Sequence, residues 1–200
     1  MYQVSTRVSI QEAKGTEGMR TWKGILVTLA VLALAAPALA QPSVPAIGVY
    51  FDMDATQQFA SFSGGTNVFH TAYVFAVNLD QMVGGMAFML ETDPAIHLMF
   101  TEYPEAVSIG DPKDGVGIGF QQCQTGWDGT PVLGCILTLW TGTELLTNGE
   151  LRIVANPSEG GIMVSDCDGN LTYVSGMTSF MSVTVDNEAT TWGSVKGLYR

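Results

Sequence analysis

Apolar and polar residues alternate with a period of two along most of the chain, the signature of strands with one face in a core. Ile47, Val49 and Phe51 share a face. Met86, Phe88 and Leu90 alternate with Ala87, Met89 and Glu91, and Val116, Ile118 and Phe120 alternate with Gly117, Gly119 and Gln121. Cys135, Leu137 and Leu139 form a further set, as do Leu151, Ile153 and Ala155, then Ile162 with Val164, Leu171 with Tyr173, and Met181, Val183 and Val185. Residues 71–79 (TAYVFAVNL) are apolar on both faces, as a central strand would be. Turn chemistry separates these runs: Gly64-Gly65, Gly84-Gly85, Asp93-Pro94, Asp111-Pro112, Asp114-Gly115, Asn148-Gly149, Gly160-Gly161 and Asp168-Gly169. Short strands at roughly ten-residue spacing predict an all-β, antiparallel two-sheet sandwich, jelly-roll or immunoglobulin-like, over residues 41–185. After residue 41 the pattern offers a short helix near 54–59 and, in the tail, a second short one with Trp192, Val195, Leu198 and Tyr199 on its apolar side.

The first forty residues follow a different logic. Arg20 and Lys23 precede an uncharged apolar run from Ile25 to Ala36, and Ala38-Leu39-Ala40 follows. That order is a cleavable signal helix cut after Ala40, with Met19 as an alternative start. The apolar run falls short of the about 20 residues a bilayer span takes, so no membrane span is expected in the mature chain. The expected location is secreted or at the cell surface.

Charge then narrows the function. The 200 residues carry a formal net charge of −11 from eight basic and nineteen acidic residues. Removing 1–40 takes away four of the bases and two of the acids, leaving −13. Such a surface repels phosphate, which excludes a nucleic-acid binder, and it attracts divalent cations or basic partners. Two of the four remaining bases sit in the tail, residues 186–200, where Trp192, Lys196, Tyr199 and Arg200 form a candidate sorting or docking motif.

Export places Cys123, Cys135 and Cys167 where disulfides persist. Three thiols allow one bridge and leave one free. The local pair Cys123–Cys135, around the turn-rich Gly126 to Pro131, is the expected bridge, worth roughly 3 kcal/mol by chain entropy. Cys135–Cys167 is the competitor.

No catalytic set assembles. His70 and His97 lie in no H-x-x-H motif, and the cysteines in no C-x-x-C motif, so a histidine-based zinc site lacks support. There is no G-x-S-x-G elbow, and Ser61 and Ser63 near His70 have no patterned acid. The run Gly115 to Gly119 (GVGIG) lacks the dinucleotide fingerprint. It reads as a strand whose face is bare at Gly117 and Gly119, open to a close backbone or flat ligand, or else filled by a large side chain such as Trp140. Asp166, Asp168 and Asn170 have oxygen-ligand spacing for calcium, although Asp-Gly steps are also ordinary turn chemistry. Trp127, beside Asp128 in the cysteine-bounded loop, is the best exposed aromatic for a ligand, with Tyr50 as a second candidate.

Residues 71–98 (TAYVFAVNLDQMVGGMAFMLETDPAIHL) resemble the front of a cohesin domain, and 149–170 (GELRIVANPSEGGIMVSDCDGN) its late strands. The openings at 47–52 (IGVYFD), the Asp166-Cys167 step and the ending at 190–200 (TTWGSVKGLYR) also resemble a group of exported bacterial proteins of no known activity. The cohesin resemblance implies a jelly-roll-like sandwich that binds proteins through one sheet face, with dockerins as usual partners. The expectation is therefore a secreted, non-catalytic module binding protein or glycan at the cell surface. A secreted hydrolase using paired carboxylates, and a structural envelope component, are the alternatives.

Overall fold

The structure is a computed structural model that describes residues 44–63, 67–142 and 145–184. The signal segment and the tail motif of Trp192, Lys196, Tyr199 and Arg200 lie outside the described residues. What is described is β throughout apart from one 3-10 turn at Trp127–Gly129.

The strands are β1 (Ala46–Tyr50), β2 (Phe59–Ser63), β3 (Phe69–Val77), β4 (Met82–Thr92), β5 (His97–Glu102), β6 (Ala106–Asp111), β7 (Gly115–Thr125), β8 (Val132–Trp140), β9 (Leu146–Val154), β10 (Met163–Ser165), β11 (Leu171–Tyr173), β12 (Ser175–Gly176) and β13 (Thr178–Thr184). Five form one sheet in the order β12-β1-β3-β8-β5. The other sheet has eight, running β11-β10-β4-β9-β13-β2, with β7 on the far side of β4 and β6 beyond it. Pairing is antiparallel except where β12 meets β1 and β2 meets β13. These two parallel pairs lie at sheet edges, where a short strand arrives by crossing between layers rather than through a hairpin.

The period-two sets define the core. Ile47, Val49, Val74, Leu137 and Leu139 of the first sheet face Met86, Phe88, Leu90, Val116, Ile118, Leu151, Ile153 and Met181 of the second, all buried. Burying a side chain of this size contributes roughly 1.5–3 kcal/mol, so the alternation itself decides which face of each strand turns inward. A second, smaller cluster sits outside the first sheet, where Ala46, Tyr50, Phe75 and Val77 pack with Ala55.

The short helix near 54–59 does not form. Residues 51–58 make a turn closed by Asp52, whose Oδ1 accepts from the Thr56 and Gln57 amides at 2.9 Å while Oδ2 accepts from the Thr56 hydroxyl. Side-chain oxygens that satisfy nearby amides in this way compete with helical hydrogen bonding.

Strands β9 and β10 are two halves of one line. Val154 pairs with Met89 and Met163 with Ala87, so residues 155–162 leave the sheet opposite a single position of β4. Buried Asn156 ties this excursion down. Its amide donates to Gly161 O (2.9 Å), its Nδ2 donates to Val116 O (3.1 Å), and its Oδ1 accepts from Ser158 N (2.9 Å).

Candidate functional site

The outer face of the second sheet carries a trough. Strand register builds it from two cross-strand rows. One runs Val107, Gly119, Gly85, Ser165, Leu171 across β6, β7, β4, β10 and β11. The other runs Ile109, Gly117, Ala87, Met163, Tyr173 across the same strands. Both rows end on bulky apolar side chains; the middle is small at Gly119, Gly85 and Ser165 in the first row and at Gly117 and Ala87 in the second, where Met163 is buried. Val107, Leu171 and Tyr173 are exposed, and Ile109 is 81% exposed. The cavity lined by Val107, Ile109 and Leu171 measures about 490 Å³.

Two glycines make the floor. A Cβ at Gly117 or Gly119 would meet nothing within 4 Å. The bare face is therefore open, and Trp140, which belongs to the other sheet, does not fill it. Gly85 is different, because a Cβ there would come within 2.6 Å of Ile118 O. Exposed apolar surface on a soluble fold marks a contact site more often than an accident when it is contiguous and shaped. The ends of the trough are acidic: Glu159 lines it, and the Asp111 and Asp166 turns adjoin β6 and β10.

The disulfide corrects the expected pairing. It joins Cys123 to Cys167, with a Cα–Cα distance of 5.9 Å. Cys135 stays reduced and fully buried. Cys123 and Cys135 cannot meet, because β7 and β8 belong to different sheets: Cys135 points into the core, and Cys123 is exposed. The same burial leaves Cys135 unable to reach Cys167. The bridge passes over Gly84 of β4, where a Cβ would lie 2.5 Å from Asp166 O. It thus ties β7 to the end of β10 across the strand between them. Burial pushes the Cys135 thiol far above the ordinary range, which leaves it inert.

The remaining predicted residues are dispersed. Tyr50 is a core residue, not a ligand contact. It is 3% exposed, its ring meets Phe75 edge-on at 5.9 Å, and its hydroxyl donates to Met177 Sδ at 3.5 Å. Burial, with Asp52 adding to it, pushes the phenol up to about 12. Trp127 is 51% exposed on the 3-10 turn it shares with Asp128, whereas Tyr50 packs in the outer cluster of the five-stranded sheet, so Trp127 and Tyr50 make no common site. Asp166 closes its own turn: Oδ1 accepts from the Asp168 and Asn170 amides at 2.9 and 2.8 Å, and Oδ2 accepts from Asn170 Nδ2 at 2.7 Å. These bonds, led by the Asn170 side chain, hold its carboxyl below the usual range. Asp166, Asp168 and Asn170 are therefore an Asx turn, and no group of three His, Cys, Asp or Glu side chains gathers around a common point among the described residues.

His70, the second residue of β3, is buried on its inward face. Its ring sits 4.2 Å from that of Phe62, and Nε2 is 3.3 Å from Thr141 Oγ1. Burial lowers its pKa. The unfolded chain takes up a proton below about pH 6.5 while the folded one resists, so stability falls with pH below that value. Its contribution is complete above about pH 6.5 and declines until the lower, folded-state pKa is passed. The melting temperature is expected to drop between pH 7.5 and 5, and His70→Gln to flatten that slope. An unchanged slope in the variant would assign the drop elsewhere. Asp52 and Asp166 titrate in a separate, more acidic window, since both are held below the ordinary carboxylate value.

Sequence reasoning found Gly117 and Gly119 but missed the rims. Val107 and Ile109 stand on β6, whose exposed positions lack a core-facing pattern. Their short alternation within AVSIGD was the available signal.

No family model matches the sequence, and no curated protein matches it. Solved structures do resemble it. A non-cellulosomal cohesin from the hyperthermophilic archaeon Archaeoglobus fulgidus superposes with a TM-score of 0.50 at 13% identity, over 73% of this chain and 95% of that one. A cohesin module from the family 33 glycoside hydrolase of Clostridium perfringens superposes with a TM-score of 0.51 at 10% identity, over 72% and 98%. At such identities the likeness is one of fold, and the fold of this chain is a cohesin-like β-sandwich.

Proposed function

We propose that this chain is an exported, non-catalytic module that holds another protein against the trough on its second sheet. One observation carries the reading: three exposed apolar side chains, Val107, Ile109 and Leu171, line a trough whose floor is left open at Gly117 and Gly119. A flat sheet exposing such rims loses free energy to water that a complementary apolar anchor would recover. The cohesin-like fold supports the reading, and dockerin-type modules are the partner class that the resemblance implies. The acidic ends favour a partner with basic residues flanking its apolar anchor.

The test is biolayer interferometry of wild type, Gly117→Tyr and Gly119→Tyr against a panel of dockerin-type modules. Both substitutions place a ring where nothing stands, so the fold should keep its melting temperature or gain slightly, because glycine weakens a strand interior. Affinity for any partner is expected to fall by roughly thirty-fold or more, as for a blocked interface centre. Binding that survives both substitutions would sink the reading. Loss on Trp127→Ala alone would move recognition to the 3-10 turn and its glycan alternative.

A further inference from the structure

The outer face of the five-stranded sheet is a separate surface. On it Phe69 of β3, Trp140 of β8 and His97 of β5 stand opposite one another in one cross-strand row. Phe100, 66% exposed, stands further along β5 across from Thr138. At the other end of this face, Tyr50, Phe75 and Val77 are packed with Ala55 and Met177. Phe69, His97 and Phe100, by contrast, are all exposed.

Two of the rings, Trp140 and His97, are held by contacts. Trp140 Nε1–H donates to Asn67 Oδ1 at 3.0 Å, and the Asn67 amide donates to Gly142 O at 2.6 Å. The His97 ring lies 5.2 Å from that of Trp140 with a 34° tilt. A cleft of about 510 Å³ adjoins them, lined by Asp93, Pro94, Ala95, His97, Trp140 and Thr141. Asp93 Oδ1 accepts from Ala95 N at 2.9 Å, which orients the carboxylate and leaves acceptor capacity on it. Among the described residues, no lysine or arginine lines the cleft.

We infer that this aromatic row and its cleft form a binding site for a neutral glycan. The C–H face of a pyranose packs on an aromatic ring, and its hydroxyls donate to carboxylate oxygens at the ring's edge. Neighbouring strands stand about 4.8 Å apart, so successive rings step along by close to the length of one hexose in a chain. Ordered rings also cost little conformational entropy when a ligand docks. The strongly acidic body, with a formal net charge of −11, turns away acidic glycans. A proline-rich peptide is the other ligand that aromatic grooves take. It is disfavoured here, because proline has no N–H to donate to Asp93.

Affinity electrophoresis of the full chain through four soluble neutral polysaccharides, a mixed-linkage β-glucan, xylan, galactomannan and starch, tests the site. At least one is expected to retard the protein, with affinity lowered about tenfold or more by Trp140→Ala and by His97→Ala. Phe100→Ala and His97→Ala alter only exposed side chains, so they report on the site even if Trp140→Ala fails to fold. Trp127→Ala and Gly117→Tyr should leave retardation unchanged, which separates this site from the trough. No retardation by any of the four, retardation indifferent to all three ring substitutions, or binding to a proline decapeptide in place of glycan would overturn the assignment.

Discussion

Cys123→Ser or Cys167→Ser is expected to cost about 4 kcal/mol of unfolding free energy, by the chain-entropy relation for a loop of this length. The bridge spans 44 residues of sequence, far more than the local hairpin the cysteine spacing suggested. A longer closed loop removes more freedom from the unfolded chain. The loop it closes contains β8 and β9 and so crosses both sheets, which is why so many unfolded conformations are forbidden. Urea unfolding with and without reductant gives the measurement. The wild type in reductant should unfold near the midpoint of the serine variants, and Cys135→Ala should keep its response to reductant. If reductant shifts the Cys123→Ser variant as far as it shifts the wild type, the bridge lies elsewhere. A domain has roughly 5–15 kcal/mol in all, so losing this bond removes a large share.

Phe88→Ala should cost about as much, roughly 3–5 kcal/mol. Phe88 is the largest fully buried side chain, on the inward face of β4 and paired with Val116 of β7. Its neighbours belong to both sheets, so truncation leaves a hole that neither rigid layer can move to fill, and the cavity adds to the lost transfer energy. Calorimetry against Ile109→Ser makes the comparison informative. Ile109 is as apolar but 81% exposed, and surface replacements cost within about 0.5 kcal/mol. If Ile109→Ser destabilises as strongly as Phe88→Ala, the trough rim is part of the core's support and not a free surface.

Much of the fold was readable from residue order. Ile47 with Val49, Met86 with Phe88 and Leu90, Val116 with Ile118, Cys135 with Leu137 and Leu139, Leu151 with Ile153, and Met181 with Val183 became inward faces of strands, because an alternating segment can bury one side at low cost only as a strand; Ala155 instead leaves the strand and is exposed. Strands β2, β5 and β6 went unread. They are edge strands, and their burial patterns are mostly exposed, so no core imposes a period on them. The site was readable in half. Glycine alternation at 117 and 119 announced a bare face, but the matching walls come from strands as far away in sequence as those of Val107 and Leu171. The expected role of Tyr50 failed for the same reason, since only the 51–58 turn folding back could bury a ring on an outer face.

Residue order alone determined that this chain builds two stacked sheets, since periodicity is a local property that every segment carries by itself. Tertiary structure decided the rest: which cysteines pair, which glycines stay open, and which aromatic rings line up. Each of these depends on strand neighbours, and neighbours distant in sequence are chosen by the packing of the whole core.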